Sequence, residues 1–260
     1  MAFWTFLLTL CLEVWSLDTV KNVLKQKGGG LPLYGAAIFS NLRNHFLFGI
    51  PIYTVAAYLF CCDDNDEVTL TSSERLTSIA SILFVQSVCF YTAHRAFHSN
   101  PNWYKYHRFH HRFNTNVPPM AANAVSPVEY VFAYILPFTL TLPILHVDTL
   151  SLRIALSIVS VSNLMIHTPK LSAVSERLLP VWIVSTDDHL EHHRKLNTKY
   201  AAPTFNVDYL VDWIEERYFQ KQEETNDDST SSPDPKKPQD TSTSHKRLEN
   251  THKNDTLKFH

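Results

Sequence analysis

Glycine is scarce in this chain. Five glycines in 260 residues leave no Gly-x-Gly-x-x-Gly and no Gly-x-x-x-x-Gly-Lys run. Without such a run the chain offers no phosphate-cradling loop of its own for a nucleotide. Charge of one sign is equally lacking: the net charge is −2 at neutral pH. That removes the broad basic field that nucleic-acid binding rests on, and no nucleic-acid partner is expected. Cysteine is thin as well. Cys11, Cys61, Cys62 and Cys89 form no Cys-x-x-Cys pair, and two of them lie inside apolar stretches. Neither a zinc ribbon nor a disulfide framework follows from them.

Long apolar runs are what the chain does have. Its mean hydropathy of −0.14 averages two unlike parts: a strongly apolar first two-thirds and an almost wholly polar last forty or so residues. A membrane-spanning helix needs about 20 apolar residues. The segments 45–62, 76–93, 128–146 and 150–167 meet that need. Buried helices of a soluble protein are the alternative, but so many apolar helices have too little polar chain to cover them. The fold expected is therefore all-α integral membrane, with about four transmembrane helices. Segment 2–17 is shorter and carries Glu13; it lacks a basic leader and a small-x-small cleavage site, so a short anchor or interfacial helix is expected.

The connecting segments then set an orientation. Lys21, Lys25, Lys27 and Arg43 lie in 18–43, and Arg95, Lys105, Arg108 and Arg112 lie in 94–127, whereas 63–74 is acidic. The positive-inside rule puts the two basic segments in the cytosol. Helices 76–93 and 150–167 then both end on the cytosolic face, and everything after 167 stays there. Composition divides the chain into an N-terminal membrane anchor region (1–75), a histidine-bearing domain (76–218) and a polar tail (219–260) with too few large apolar residues to fold.

Fourteen histidines are the unusual count. Eight fall in three windows: His94-Arg-Ala-Phe-His98, His107-Arg-Phe-His110-His111 and His189-Leu-Glu-His192-His193. Spacings of three and four put side chains on one helix face. The extra histidine of each double lies about 100° further round the helix and can reach a second metal. One tetrahedral metal takes four ligands, so eight imidazoles fit two metals. His167, at the cytosolic end of 150–167, is a ninth candidate, with Asn163 one turn below it as a candidate to orient it or a bound water. Imidazole suits iron, copper, nickel and zinc alike and does not name the metal. Asp187, Asp188 and Glu191 flank the third window and are candidates to orient its rings. Elsewhere the bland reading is kept: His45 and His146 as interfacial, Trp103, Tyr104 and Tyr106 as an aromatic belt, and His245, His252 and His260 as solvated.

These motifs, in this order and on this apolar frame, resemble the fatty acid hydroxylase / sterol desaturase superfamily of membrane di-iron enzymes. The resemblance covers roughly residues 80–215 and rests on YTAHRAFHSNPNWYKYHRFHHRF, on SPVEY at 126–130 and on DDHLEHHRKLNTKYAAP at 187–203. It implies that His94, His98, His107, His110, His111, His189, His192 and His193 hold two iron ions, with His167 matching the family's extra histidine. It further implies dioxygen as co-substrate and hydroxylation or desaturation of a sterol or fatty-acyl lipid. Electrons would come from NAD(P)H through a reductase and cytochrome b5, and the expected location is the endoplasmic reticulum membrane. The chain has no His-Pro-Gly-Gly haem loop, so the donor is expected to be a separate protein.

Two departures bear on the substrate. The segment HHRFNTNVPPMAANAVSPVEY looks like the sterol 4-methyl oxidase branch, yet Thr168-Pro-Lys after His167 lacks that branch's acidic and aromatic residues. Tyr200-Ala-Ala also stands where many members have Asn-Tyr-Gly. An aldehyde- or carotenoid-acting relative with the same site is one alternative. A catalytically silent protein whose histidines bind zinc is the other.

Overall fold

The computed structural model describes residues 2–27, 29–60, 70–145 and 147–230, with side chains to be read at 3–220 within those ranges. The chain divides into two units, 1–216 and 217–260. Within the described residues the first unit is helical, with a single antiparallel bridge between Ile183 and Phe205. Three helices are long and apolar enough to cross a membrane, and a fourth span arises if the bent N-terminal pair is counted as one. The protein is thus an all-α membrane protein.

The first of these spans is α5. Helices α1 (Ala2–Trp15), α2 (Leu17–Lys25), α3 (Gly30–Arg43) and α4 (Ile50–Phe60) precede it, and α5 runs Ser72–Ser99. A capping box starts it: the Thr71 hydroxyl accepts the Glu74 N–H at 3.3 Å, and Glu74 accepts the Thr71 N–H at 2.8 Å. Its 28 residues make a rod about 42 Å long, longer than the roughly 30 Å hydrocarbon layer. The excess carries the first histidine window past the apolar region. After α6 (Pro101–His107) the chain forms 3-10 turns at His110–Arg112 and Pro119–Asn123. The second span, Pro127–Leu145, consists of α7 (Pro127–Glu129), a π-helical turn at Tyr130–Ile135 and α8 (Leu136–Leu145). The third, α9 (Thr149–Ile166), is capped by Asp148, whose carboxylate accepts the Leu150 and Ser151 N–H groups. Leu76, Phe84, Leu136, Leu140, Ile144 and Ile158 point outward from these three helices, as lipid contact requires.

Segment 45–62 is not among the spans that the described residues show, which stop at Phe60 in this stretch; Asn44–Gly49 is a π-helical turn that joins α3 to α4 in one helical run. Segment 2–17 breaks at Ser16, where α1 and α2 meet at 82°. Helix α12 (Val207–Thr230) extends into the segment expected to be a polar tail, whose Glu, Lys and Gln are good helix formers. Residues 231–260, including His245, His252 and His260, and also His146, lie outside the described residues.

The segment 117–125 has little regular structure and is buried throughout. Its backbone groups must therefore find partners among side chains. Asn41 Nδ2 donates to the Met120 carbonyl at 2.9 Å, and Ser40 and Asn44 donate to the Val125 carbonyl at 2.6 and 3.0 Å. Glu13, read from the sequence only as a blemish in an apolar segment, is 5% exposed. It accepts the Met120 N–H and the Tyr34 hydroxyl, which joins α1 to α3 and to the buried segment. Replacing Glu13 by Leu orphans both donors. The variant should lose about 1–3 kcal/mol of stability, read as a lower thermal denaturation midpoint in detergent.

Candidate metal centre

Five elements deliver the histidines. Helix α5 presents His94 and His98 on successive turns near its end. The Asn100 side chain accepts the Asn102 N–H and turns the chain into α6, which ends on His107. The 3-10 turn carries His110 and His111, and His167 caps the C-terminus of α9. Helix α11 (Thr186–Lys195) supplies His189, His192 and His193. All are buried except His98, which is half-buried.

The nine side chains collect into two groups that could each hold a metal ion. One is His94, His98, His107, His111 and His192; the other is His110, His167, His189 and His193. Each pair four residues apart stays within one group, while His110 and His192 cross to the group that their window-mates do not join. A ring rotated about 100° from its neighbours faces a different point in space.

Ring orientation makes these groups more than a crowd. His94 Nδ1 donates to the Tyr200 carbonyl, His192 Nδ1 to the Thr198 carbonyl and His167 Nδ1 to the Asn163 carbonyl, each at 2.7 Å. A carbonyl oxygen only accepts, so in these three rings Nδ1 carries the proton and Nε2 carries a lone pair. His107 Nδ1 lies 2.6 Å from the Glu129 carboxylate. The Nε2 atoms then face one another: His94–His107 at 3.1 Å, His107–His111 at 2.8 Å, His98–His111 at 3.1 Å, His167–His189 at 3.0 Å, and His189–His193 at 3.2 Å. Lone pairs at such separations repel unless a cation lies between them. Two ring nitrogens bound at about 2.1 Å to one ion are about 3.0 Å apart at a right angle and about 3.4 Å apart at the tetrahedral angle. His192 Nε2 is buried with no protein partner and faces the first group. The donor set fits a pair of metal ions.

Burial keeps the rings neutral, the form that ligates. It holds His107, His110, His111, His189 and His193 well below the usual imidazole range and lowers His167 and His192 to about 4.

The carboxylates expected to orient the rings do something else. Asp187 accepts the Ser172 hydroxyl at 2.6 Å. Asp188 closes a capping box with Ser185 at the start of α11. Asp188 and Glu191 grip the Lys199 ammonium at 2.7 and 2.6 Å. Lys199 has φ +57°, a conformation disfavoured for a side chain by about 1–2 kcal/mol. Its two neighbours, Thr198 and Tyr200, supply the carbonyls that fix His192 and His94. The acidic residues therefore act on the rings through a turn held by Lys199. Asn163 meets the expectation in part: its backbone carbonyl anchors His167, while its side chain donates to the Ala122 carbonyl at 3.0 Å.

Glu129 has no role in the sequence reading, although an acid within an apolar span was a signal to be used. It is 2% exposed and anchors His107. Tyr104 stacks on His111 at 6.5 Å, and Tyr200 packs against His98 at 5.3 Å. His45 turns inward, with Nδ1 3.3 Å from the Tyr130 hydroxyl. It lines a cavity of about 750 Å³ whose wall includes Phe90 and Asn163, neighbours of His94 and His167. The Phe90 ring is 5.2 Å from that of His94.

The fatty acid hydroxylase family model matches residues 79–213, half of the chain. This chain belongs to the fatty acid hydroxylase family. No curated protein and no solved structure matches it. The family match makes it a member of a family of membrane-bound, histidine-rich oxidoreductases. The matched region takes in all nine histidines, Glu129 and the Lys199 turn, and leaves α1 to α4 outside. Ser185 starts the helix that carries three of those histidines in this fatty acid hydroxylase family protein. Its replacement by Ala should cost about 1 kcal/mol, visible as a lower thermal midpoint that Ser185→Thr restores in large part.

Proposed function

We propose that the chain is a di-iron oxidoreductase that uses dioxygen to hydroxylate or desaturate a membrane lipid, a sterol or fatty-acyl chain. The observation that carries this reading is the pairing of inward Nε2 lone pairs with outward Nδ1–H groups fixed on oxygen acceptors. In this reading His94, His98, His107, His111 and His192 hold one iron, and His110, His167, His189 and His193 hold the other. Two irons, when bound, supply the redox chemistry with dioxygen that a hydrocarbon C–H bond demands. The rest is the work of the chain. Neutral imidazoles set the ligand charge to zero, and Glu129, through His107, adds the one nearby carboxylate. The Thr198, Tyr200 and Asn163 carbonyls keep each ring in the ligating tautomer. The apolar cavity admits a lipid body from the bilayer and brings it against Phe90 and Asn163 while excluding water.

Orientation and partners follow from charge. The basic segments 18–43 and 94–127 favour a cytosolic histidine face, at which soluble or tail-anchored donors such as cytochrome b5 and a reductase deliver electrons from NAD(P)H. The endoplasmic reticulum membrane is the location that this partnership implies.

Cells expressing the wild type should contain a lipid heavier by one oxygen, or lighter by two hydrogens, that cells expressing His192→Ala lack. Untargeted lipid mass spectrometry beside an immunoblot of the membrane fraction reads this. The same lipid profile in both cell lines, with both proteins present in the membrane, sinks the proposal. Purified protein should hold two irons per chain by elemental analysis; two zincs and no dioxygen uptake with reductant would select the silent reading instead. Glu129→Leu should weaken metal retention by about 10- to 100-fold, measured by chelator competition.

A further inference from the structure

Among the described residues that line the cavity, Gln86 holds the one fully buried side-chain polar atom without a hydrogen-bond partner. Gln86 lies in the middle of α5, is 1% exposed, and its side-chain carbonyl has no hydrogen-bond partner among the described residues. The neighbouring polar groups on the cavity wall are spoken for. The Tyr53 hydroxyl donates to the Tyr134 carbonyl at 3.1 Å, and the Tyr134 hydroxyl donates to the Ala122 carbonyl at 3.3 Å. The Tyr130 hydroxyl meets His45, and the Asn163 amide donates to Ala122. Native structures leave few buried polar atoms unpaired, and a polar side chain inside a membrane span marks a functional site. Burial also rules out a lipid headgroup or a neighbouring protein on the outer face of α5 as the missing partner.

Position adds a length. Gln86, Phe90 and His94 are four residues apart in turn and so share one face of α5. Eight residues at 1.5 Å rise put Gln86 about 12 Å from His94 along the helix. Phe90 lies between them, and both Phe90 and Gln86 line the cavity. A molecule seated in that cavity can meet Gln86 at one point and, at another, Phe90, whose ring is 5.2 Å from that of His94.

We propose that Gln86 anchors a hydroxyl group of the lipid substrate, and that the oxidised carbon lies about 12 Å from that hydroxyl. This deepens the oxidoreductase reading and rests on it. A hydroxyl both donates and accepts, so it satisfies the Gln86 amide whichever way round its oxygen and nitrogen lie. A ketone or ester offers no donor, and a charged amine is unsuited to a cavity walled by Phe90, Phe138, Leu152 and Leu156. The substrate class is an apolar body with a single hydroxyl, attacked far from it. That separates the chain from oxidation of a carbon adjacent to a sterol hydroxyl, the chemistry implied by likeness to the sterol 4-methyl oxidases. A sterol ring hydroxyl and the terminal hydroxyl of a fatty alcohol are the two sources of this chemistry.

The test is equilibrium binding to full-length purified protein in nanodiscs, with two probe pairs: tritiated cholesterol against cholest-5-ene, and octadecan-1-ol against octadecane. Wild type should bind one hydroxylated probe roughly tenfold or more tightly than its deoxy partner, and the pair that shows the preference names the source. Gln86→Leu should bring that probe down to its deoxy partner while leaving the deoxy affinity unchanged. Absence of any preference in both pairs for the wild type, a comparison that needs no variant, overturns the proposal. So does a Gln86→Leu protein of unchanged elution volume that keeps the preference. Binding requires neither turnover nor bound iron, so failure here leaves the oxidoreductase reading intact, and failure of the lipid-product experiment leaves a measured hydroxyl preference standing.

Discussion

The whole molecule is organised around a repulsion. Nine imidazoles are packed so that their Nε2 atoms meet at about the spacing of two ligands on one ion, in surroundings too buried to protonate them. Left alone, neutral rings in such contact would rotate until each N–H found a neighbouring lone pair. Here several are prevented from doing so by acceptors behind them: Tyr200, Thr198 and Asn163 carbonyls and the Glu129 carboxylate. Those acceptors convert a histidine-rich surface into a directed donor set. Everything else in the fold serves to hold them in place.

The Lys199 turn illustrates how such a constraint is met. A backbone in the left-handed region is unfavourable for lysine, and its ammonium is bound by Asp188 and Glu191 of the adjacent helix. The turn is thereby fixed relative to α11, on which His192 itself sits, so ring and acceptor move together. Group positions far apart in sequence, such as His94 and Tyr200, become one unit. Strain of this kind persists only where surrounding contacts over-determine the backbone.

Much of this was legible in the residues. Apolar runs gave the three spans within a few positions, because hydrophobic length is a one-dimensional property. The histidine windows gave the candidate side chains and the expectation of two metals; which ring joins which group depends on how the helices and the 3-10 turn meet. What stayed hidden was tertiary. A backbone carbonyl carries no residue type, so Thr198 and Tyr200 left no trace as anchors, and Asn163 stood out for its side chain, not its carbonyl. Glu129 left one, an acid in an apolar span, but its partner His107 is 22 positions away. Asp188 and Glu191 sat beside the right histidines and pointed to Lys199 instead, since sequence proximity on a helix says little about the opposite face. The π-helical turn at Asn44–Gly49 that joins α4 to α3 left no mark in the apolar run 45–62.

The placement of His94 and Gln86 on one rigid element has a mechanical consequence. Helix α5 is continuous from Ser72 to Ser99, with neither proline nor glycine to bend it. A substrate held at Gln86 is then registered against His94 by the helix rise alone, without relying on a loop. Side chains that move on a flexible wall could accept bodies of many lengths; a continuous helix cannot. The far wall, α9, is likewise unbroken and ends at His167 in the other group. Helix α5, which gives His94 and His98 to one group, and α9, which ends at His167 of the other, both line the cavity and bound how far a lipid can enter. Selectivity for the position of attack is in this sense a property of helix length, and the turns above the membrane are left to hold the metals.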